Sequence, residues 1–410
     1  MTTSAQHTIR RPEPTIRRPE SEVLISADSH VAEPDELWDR LPADLRAQGP
    51  ALETLPDGGE RYTIEGSTIS LPLQEQLTED DWACEYRRDP SGARDLDRRM
   101  ADMAREGVDA QVIFPEAGLG LGGGEGSREY HVAISQAYND WVLEAFAPEP
   151  QRFRPAAMIP TDDATAAFDE AERCLKKGFK TLFLPVTVPW LPYWHASWEP
   201  LWSLAEEARA PLSFHVFSGN VWFGTDFAFL PFLSPERFEA AQTMHRAVGD
   251  VPERYSSDVV GMAAGMSPII DLTGAGVLER HRELRFAIVE SECGWLAWTL
   301  SAMDSMQERR RLFLNKLPLR ASEYFLRQGS VTITDDPVGL HNIALTGSDC
   351  LLWGNDYPHD EGTFPNSRRV IESMREIVEP EPLAKILGEN AARLYDFDLD
   401  YLSRHRIRSA

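Results

Sequence analysis

The chain has 410 residues, long enough for one large α/β barrel, and its 42% apolar and 26% charged residues are the mix of a globular fold. A formal net charge of −25 argues against a nucleic-acid or anionic-membrane partner. No apolar run approaches bilayer-crossing length, and the N-terminus lacks the apolar stretch of a secretory signal. The four cysteines, Cys84, Cys174, Cys293 and Cys350, form no Cys-x-x-Cys pair and read as thiols of a cytoplasmic protein.

In chain order, residues 1–21 hold a repeat, Thr8–Glu13 and Thr15–Glu20, whose prolines exclude a helix interior. They read as a flexible arm ahead of one domain over 22–400, with 401–410 as a tail. Val23–Ala27 is an apolar run ending in Asp28, Ser29, His30 and Glu33, the pattern of a buried parallel strand with polar residues at its C-terminal end. Residues 35–95 carry short β-like runs around the turn Asp57–Gly59 and read as an insertion over the mouth of a site. Leu96–Glu106 predicts a helix stopped by Gly107. Strand and helix then alternate: strand 110–114, helix 128–147, strand 153–158, helix 164–177, strand 180–184, helix 198–209 and strand 211–214 ending in His215. The glycine-rich run Leu119–Gly126 lacks the Gly-Lys-Ser/Thr ending of a phosphate loop. Residues 219–262 read as a second insertion. Helix 268–279, strand 285–289 ending in Glu290, helices over 295–328, strand 331–334, strand 350–353 ending near Asp356, and helix 381–394 complete the chain. Eight strands alternating with helices predict a closed (β/α)8 TIM barrel with insertions after strands 1 and 5.

Such a barrel does its chemistry at the C-terminal strand ends. Asp28 and His30 end strand 1, His215 strand 5, Glu290 strand 6 and Asp356 strand 8. The barrel brings them together as nitrogen and oxygen ligands suited to Zn, Mn or Fe. Glu33 and His359 are candidates for orienting these groups or adding a ligand. Arg87, Arg88 and Arg246 could grip a substrate carboxylate. Trp190, Trp194, Trp198, Trp202 and Trp222 suit an aromatic pocket wall or a subunit contact.

Asp28-Ser29-His30-x-x-Glu33-Pro34, His215, Trp353-Gly354-x-Asp356-Tyr357-Pro358-His359 and the closing Lys385–Tyr395 together resemble the amidohydrolase 2 branch of the amidohydrolase superfamily. That branch includes aminocarboxymuconate-semialdehyde decarboxylase and γ-resorcylate decarboxylase. The resemblance implies a metal held by Asp28, His30, His215 and Asp356. Two departures stand out. The usual first His of strand 1 is Asp28, and Leu184-Pro185 replaces the metal-bridging Lys at the end of strand 4. The expected activity is hydrolysis or non-oxidative decarboxylation of a small carboxylate-bearing or aromatic substrate, with Asp356 as base or acid and His215 beside it. Two other readings stand: a dinuclear Fe or Mn oxygen-activating monooxygenase, and a catalytically weak subunit supporting a related barrel. The partners expected are a small-molecule substrate and either a second copy of the chain or that related barrel subunit.

Overall fold

The computed structural model describes residues 22–46, 49–54, 60–64, 67–70, 91–120, 127–188, 190–218, 259, 261–310, 317–359 and 361–407. The arm 1–21, the turn Asp57–Gly59, nearly all of the second insertion with Trp222 and Arg246, and Cys84, Arg87 and Arg88 lie outside them.

The first barrel strand is split into β1 (Ile25–Ser26) and β2 (His30–Val31). A separate antiparallel sheet follows, made of β3 (Ala51–Thr54), β4 (Glu60–Ile64) and β5 (Ser67–Ser70). The remaining barrel strands are β6 (Ala110–Pro115), β7 (Phe153–Met158), β8 (Thr181–Pro185), β9 (Leu212–His215), β10 (Phe286–Val289), β11 (Gly329–Ile333) and β12 (Leu351–Trp353). They pair in parallel in the order β1-β6-β7-β8-β9-β10-β11-β12. The Ala27 N–H donates to the Trp353 carbonyl (2.9 Å) and the Asp356 N–H to the Asp28 carbonyl (3.0 Å), so the last strand comes back to the first. The (β/α)8 barrel expected from the alternation is the observed architecture. None of the described helices is long and apolar enough to cross a membrane.

Local chemistry fixes the helix ends. Asp95 accepts from the Arg98 N–H to cap Leu96–Glu106, and Gly107 leaves that helix at φ 78°. Gly178 does the same after Ala164–Lys177, at φ 105°. The helix expected over 268–279 is two, Met266–Gly274 and Val277–Arg280, because Gly276 turns left-handed between them. Ser367–Ile377 is a further helix not read from the sequence. The stretch read as a C-terminal tail starts inside a helix, Leu399–Arg404. Asp398 caps that helix and Leu402 is buried, so the segment packs on the barrel.

The barrel strand residues are buried throughout. Low in the barrel, the Tyr395 hydroxyl lies 3.2 Å from Ser213 Oγ, and Thr181 Oγ1 lies 2.9 Å from the same atom. Ser213 and His215 are two apart on β9, so His215 points inward one layer above this polar floor. His215 is in register with Val289 on β10 and Pro185 on β8, which sets its height at the strand ends.

The closing segment that carries Tyr395 is held tightly. Asn390 Nδ2 donates to the carbonyls of Ser348 and Leu351, each at 2.8 Å. A Cβ on Gly388 would lie 2.2 Å from the Val23 carbonyl oxygen, so this turn approaches the first strand more closely than any side chain permits. Gly388→Ala is therefore expected to destabilise the fold by about 1–3 kcal/mol. Urea unfolding checks this, and an unchanged midpoint would contradict the close approach.

Candidate metal centre

Four carboxylates and three imidazoles alternate along one line at the C-terminal end of the barrel. Glu290 Oε2 lies 3.5 Å from His215 Nε2, which lies 3.5 Å from Asp28 Oδ1. That Asp28 oxygen lies 3.5 Å from His30 Nε2, which lies 3.3 Å from Asp356 Oδ1. Asp356 Oδ1 is 3.0 Å from His359 Nδ1, and His359 Nε2 is 2.7 Å from Glu116 Oε2. Asp28, His30, His215, Glu290 and Asp356 are all buried.

The backbone decides which atoms face inward. His30 Nδ1 is 2.9 Å from the Pro115 carbonyl, and His215 Nδ1 is 2.8 Å from the Val216 carbonyl. A carbonyl only accepts, so each Nδ1 carries its hydrogen and each Nε2 turns to the centre. Glu290 and Asp356 sit just past their strands at φ 58° and 51°, a left-handed turn that non-glycine residues rarely adopt.

Eight buried atoms here have no hydrogen-bond partner: both Asp28 oxygens, both Asp356 oxygens, Glu290 Oε2, His30 Nε2, His215 Nε2 and His359 Nδ1. Buried polar atoms are ordinarily paired, so a cluster of unpaired donor-set atoms fits a cation. Two overlapping groups have ligand atoms within 4.8 Å of one another: His30, Glu290, Asp356 and His359, and Asp28, His30 and His215.

Charge at the centre follows from these neighbours. Burial alone would raise the Asp28 carboxyl, but the close His215 and His30 imidazoles hold it well below the usual range. Burial, then the charge of Asp356, pushes Glu290 well above it. Burial and the charge of His359 pull His30 down, yet Asp28 and Asp356 carry it up to about 9. Burial also opposes the charged form of His359, and Asp356 and Glu116 hold it well above the ordinary histidine value.

Five of the residues singled out in the sequence are thus brought together, and His359 joins them within ligand distance. Glu33 takes a different part. Its carboxylate accepts from the backbone N–H groups of Glu116 (3.2 Å), Ala117 (2.8 Å) and Gly118 (2.9 Å), and it holds the loop after β6. Glu116 was missed by the sequence reading. Its signal was the one used elsewhere, an acid directly after a strand. Lys180 lies at the far end of β8, with Nζ 2.8 Å from Asp396.

The amidohydrolase family profile matches residues 27–397. This chain belongs to the amidohydrolase family. It is accordingly an enzyme, and the resemblance carried by its strand-end motifs is borne out. Gamma-resorcylate decarboxylase of Polaromonas sp. (strain JS666 / ATCC BAA-500) is 27% identical over 144 residues, 31% of this chain and 43% of that relative, so the match spans less than half of its length. Among solved structures, an amidohydrolase from Mycobacterium avium subsp. paratuberculosis K-10 aligns with TM-score 0.70 at 19% identity, over 91% of this chain and 98% of that one. The 5-carboxyvanillate decarboxylase of Sphingomonas paucimobilis aligns with TM-score 0.62 at 18% identity, over 92% and 100%. The dihydroxybenzoic acid decarboxylase of Polaromonas sp. JS666, solved with manganese and 2-nitroresorcinol, aligns with TM-score 0.59 at 18% identity, over 92% and 97%. At these identities the likeness is one of fold.

The His30 shift sets the pH dependence of metal loading. Below about 9 the metal-free protein keeps the extra proton on His30, and a cation must displace it. Apparent affinity for Mn2+ or Zn2+ should therefore weaken as pH falls, by up to about tenfold per pH unit for one displaced proton. Calorimetric titration of metal-free protein between pH 6 and pH 9 measures the slope, and a flat profile would contradict it.

Proposed function

We propose that this amidohydrolase-family enzyme is a divalent-metal-dependent carboxy-lyase that removes CO2 without oxidation from an aromatic carboxylate. The observation that carries the reading is the set of unpaired Nε2 and carboxylate atoms facing one point at the strand ends. Asp28, His30, His215 and Asp356 would hold the metal. Glu290 and His359 lie close enough to complete its surroundings. When bound, the cation would supply positive charge to anchor the substrate carboxylate and a neighbouring oxygen. A carboxylate-rich donor set suits manganese as well as zinc or iron.

The proton is the chain's own contribution. In decarboxylation the bond from ring carbon to carboxylate breaks, its electron pair stays on the ring carbon, and that carbon takes a proton as CO2 departs. No oxidant or reductant is needed. Asp356 would deliver the proton. His359 lies behind it at 3.0 Å, and Glu116 behind His359 at 2.7 Å. The Glu116 side chain is 26% exposed, so this line runs from the buried carboxylate toward solvent and can resupply the proton each turnover.

Decarboxylation is favoured over a two-metal hydrolysis because the end of β8 offers Leu184-Pro185 in place of a bridging lysine. A dinuclear oxygenase would need further carboxylates, and Glu33 is committed to three backbone amides. The relatives named above act on resorcylate, carboxyvanillate and dihydroxybenzoate, so these are the first substrates to try.

Asp356→Asn should lower CO2 release by about 1,000-fold or more while circular dichroism stays unchanged. Release is measured with 2,6-dihydroxybenzoate and 5-carboxyvanillate on manganese-loaded protein. Near-normal turnover in the variant would remove Asp356 from this role. Amide or lactone hydrolysis by the wild type with no CO2 release would replace the proposal.

A further inference from the structure

The candidate ligands leave part of the barrel mouth unused. They come from the first barrel strand, from β9, and from the turns after β10 and β12. Among the described residues, the exits of β7 and β8, which pair with each other, supply none. Thr161 and Asp162 stand beyond β7, and Trp190 beyond β8, at the same end of the barrel as the metal centre.

The exit of β7 is held by one helix, Arg128–Phe146. Asn139 accepts from the Met158 N–H (2.7 Å) and donates to the Met158 carbonyl (2.9 Å). Nearer the start of that helix, His131 Nδ1 lies 2.7 Å from Asp162 Oδ1, and Arg128 Nε lies 2.6 Å from Asp163 Oδ2. The Trp190 indole is tied to the same exit. Its Nε1 donates to the Thr161 carbonyl at 3.1 Å, while the residue stays 46% exposed. Groups fixed in this way lose little freedom when a ligand arrives.

Two buried atoms at this exit have no hydrogen-bond partner, Thr161 Oγ1 and Asp162 Oδ2. Among the described residues, Asp162 Oδ2 is the one such carboxylate oxygen outside the metal centre. Buried polar atoms are ordinarily paired. The His131 contact occupies Oδ1 and leaves Oδ2 to accept from something else. An unpaired acceptor, a hydroxyl and a tethered, exposed indole are the parts of a site for a ring that carries a donor.

We propose that Thr161, Asp162 and Trp190 form a recognition subsite for a hydroxyl or amino group on the aromatic ring of the substrate. Asp162 Oδ2 accepts the hydrogen of that group, and Trp190 covers the ring. His131 is the positioning residue that holds Asp162. A ring without the donor leaves Oδ2 unpaired and binds less well. The substrate class rests on the carboxy-lyase reading above, but the subsite is read by binding and needs no turnover.

The test is calorimetric binding of 3- and 4-hydroxybenzoate, and of their methoxy counterparts, to the manganese-loaded full chain. Methylation removes the donor and keeps the ring and the carboxylate. At least one hydroxy compound should bind about tenfold tighter than its methoxy counterpart. Asp162→Val should erase that difference in protein whose circular dichroism and manganese content match the wild type. Asp162→Asn is the milder variant if valine disturbs the fold. There His131 keeps the remaining oxygen, the amide nitrogen meets the ring donor, and the preference should again be lost. Trp190→Ala should weaken hydroxy and methoxy compounds alike. A wild type without the preference, an Asp162→Asn protein that keeps it, or undiminished binding by Trp190→Ala would overturn the proposal. A preference that depends on Asp162 in a protein releasing no CO2 would uphold the subsite and count against the carboxy-lyase reading alone.

Discussion

Three buried carboxylates within each other's electrostatic reach are the constraint around which the mouth of this barrel is arranged. Glu290 feels both Asp356 and Asp28, and burial denies all three the screening of water. The sequence answers by alternation. His215 stands between Glu290 and Asp28, His30 between Asp28 and Asp356, and His359 between Asp356 and Glu116. Imidazole can carry a proton or present a lone pair, so the same row can be neutralised by protons or by a cation. That dual capacity is what lets the proposed ligand set and the proposed proton line share Asp356.

The row stays in place because other polar groups on the rim are spent on backbone. Glu33 holds residues 116–118. Glu292 accepts from the N–H groups of Thr334 (3.1 Å) and Asp335 (3.2 Å). Asp336 accepts in return from the N–H groups of Cys293 (2.8 Å) and Gly294 (2.5 Å). The exits of β10 and β11 are therefore cross-tied in both directions. At the remaining seam, Asn355 Oδ1 receives the Ser26 hydroxyl at 2.8 Å, and Ser26 Oγ accepts from the Asn355 N–H at 2.9 Å. Below them, Arg99 donates to Gln111 Oε1 at 3.0 Å and to the His30 carbonyl, and its guanidinium lies 4.8 Å from the centre of the Tyr357 ring. These buried bonds fix the strand exits, and the strand exits fix the candidate ligands.

Much of this was legible in one dimension because strand ends announce themselves. Asp28, His30, His215, Glu290 and Asp356 each follow an apolar run, and barrel closure does the rest. Helix ends at Gly107 and Gly178 were equally plain, since a left-handed residue is needed there. What escaped was anything decided by a distant partner. Glu33 and Glu290 look alike in sequence, each an acid near a strand end. Three backbone amides claim Glu33, whereas Glu290 Oε2 is left without a hydrogen-bond partner, 3.5 Å from His215 Nε2. Glu116 was missed because its role comes from His359, 243 residues away. The break at Gly276 was hidden inside an otherwise helical pattern, and Ser367–Ile377 follows a polar loop whose cues did not mark its start.

The eighth-strand motif shows how backbone geometry places the chemistry. A Cβ on Gly354 would lie 2.6 Å from Asp28 Cβ, so only glycine lets the exits of β12 and β1 come this close. The next two residues use that contact. Asn355 ties to Ser26, and the Asp356 N–H bonds the Asp28 carbonyl while its φ of 51° swings the side chain over the barrel mouth. A left-handed aspartate costs on the order of 1–3 kcal/mol, which the surrounding bonds offset. Glu290 repeats the arrangement across the barrel, where its N–H bonds Thr332 Oγ1 at 2.8 Å and its φ is 58°. Two of the carboxylates whose directions matter most to the centre thus carry backbone strain, and the close glycine contact and the backbone bonds are what hold it there.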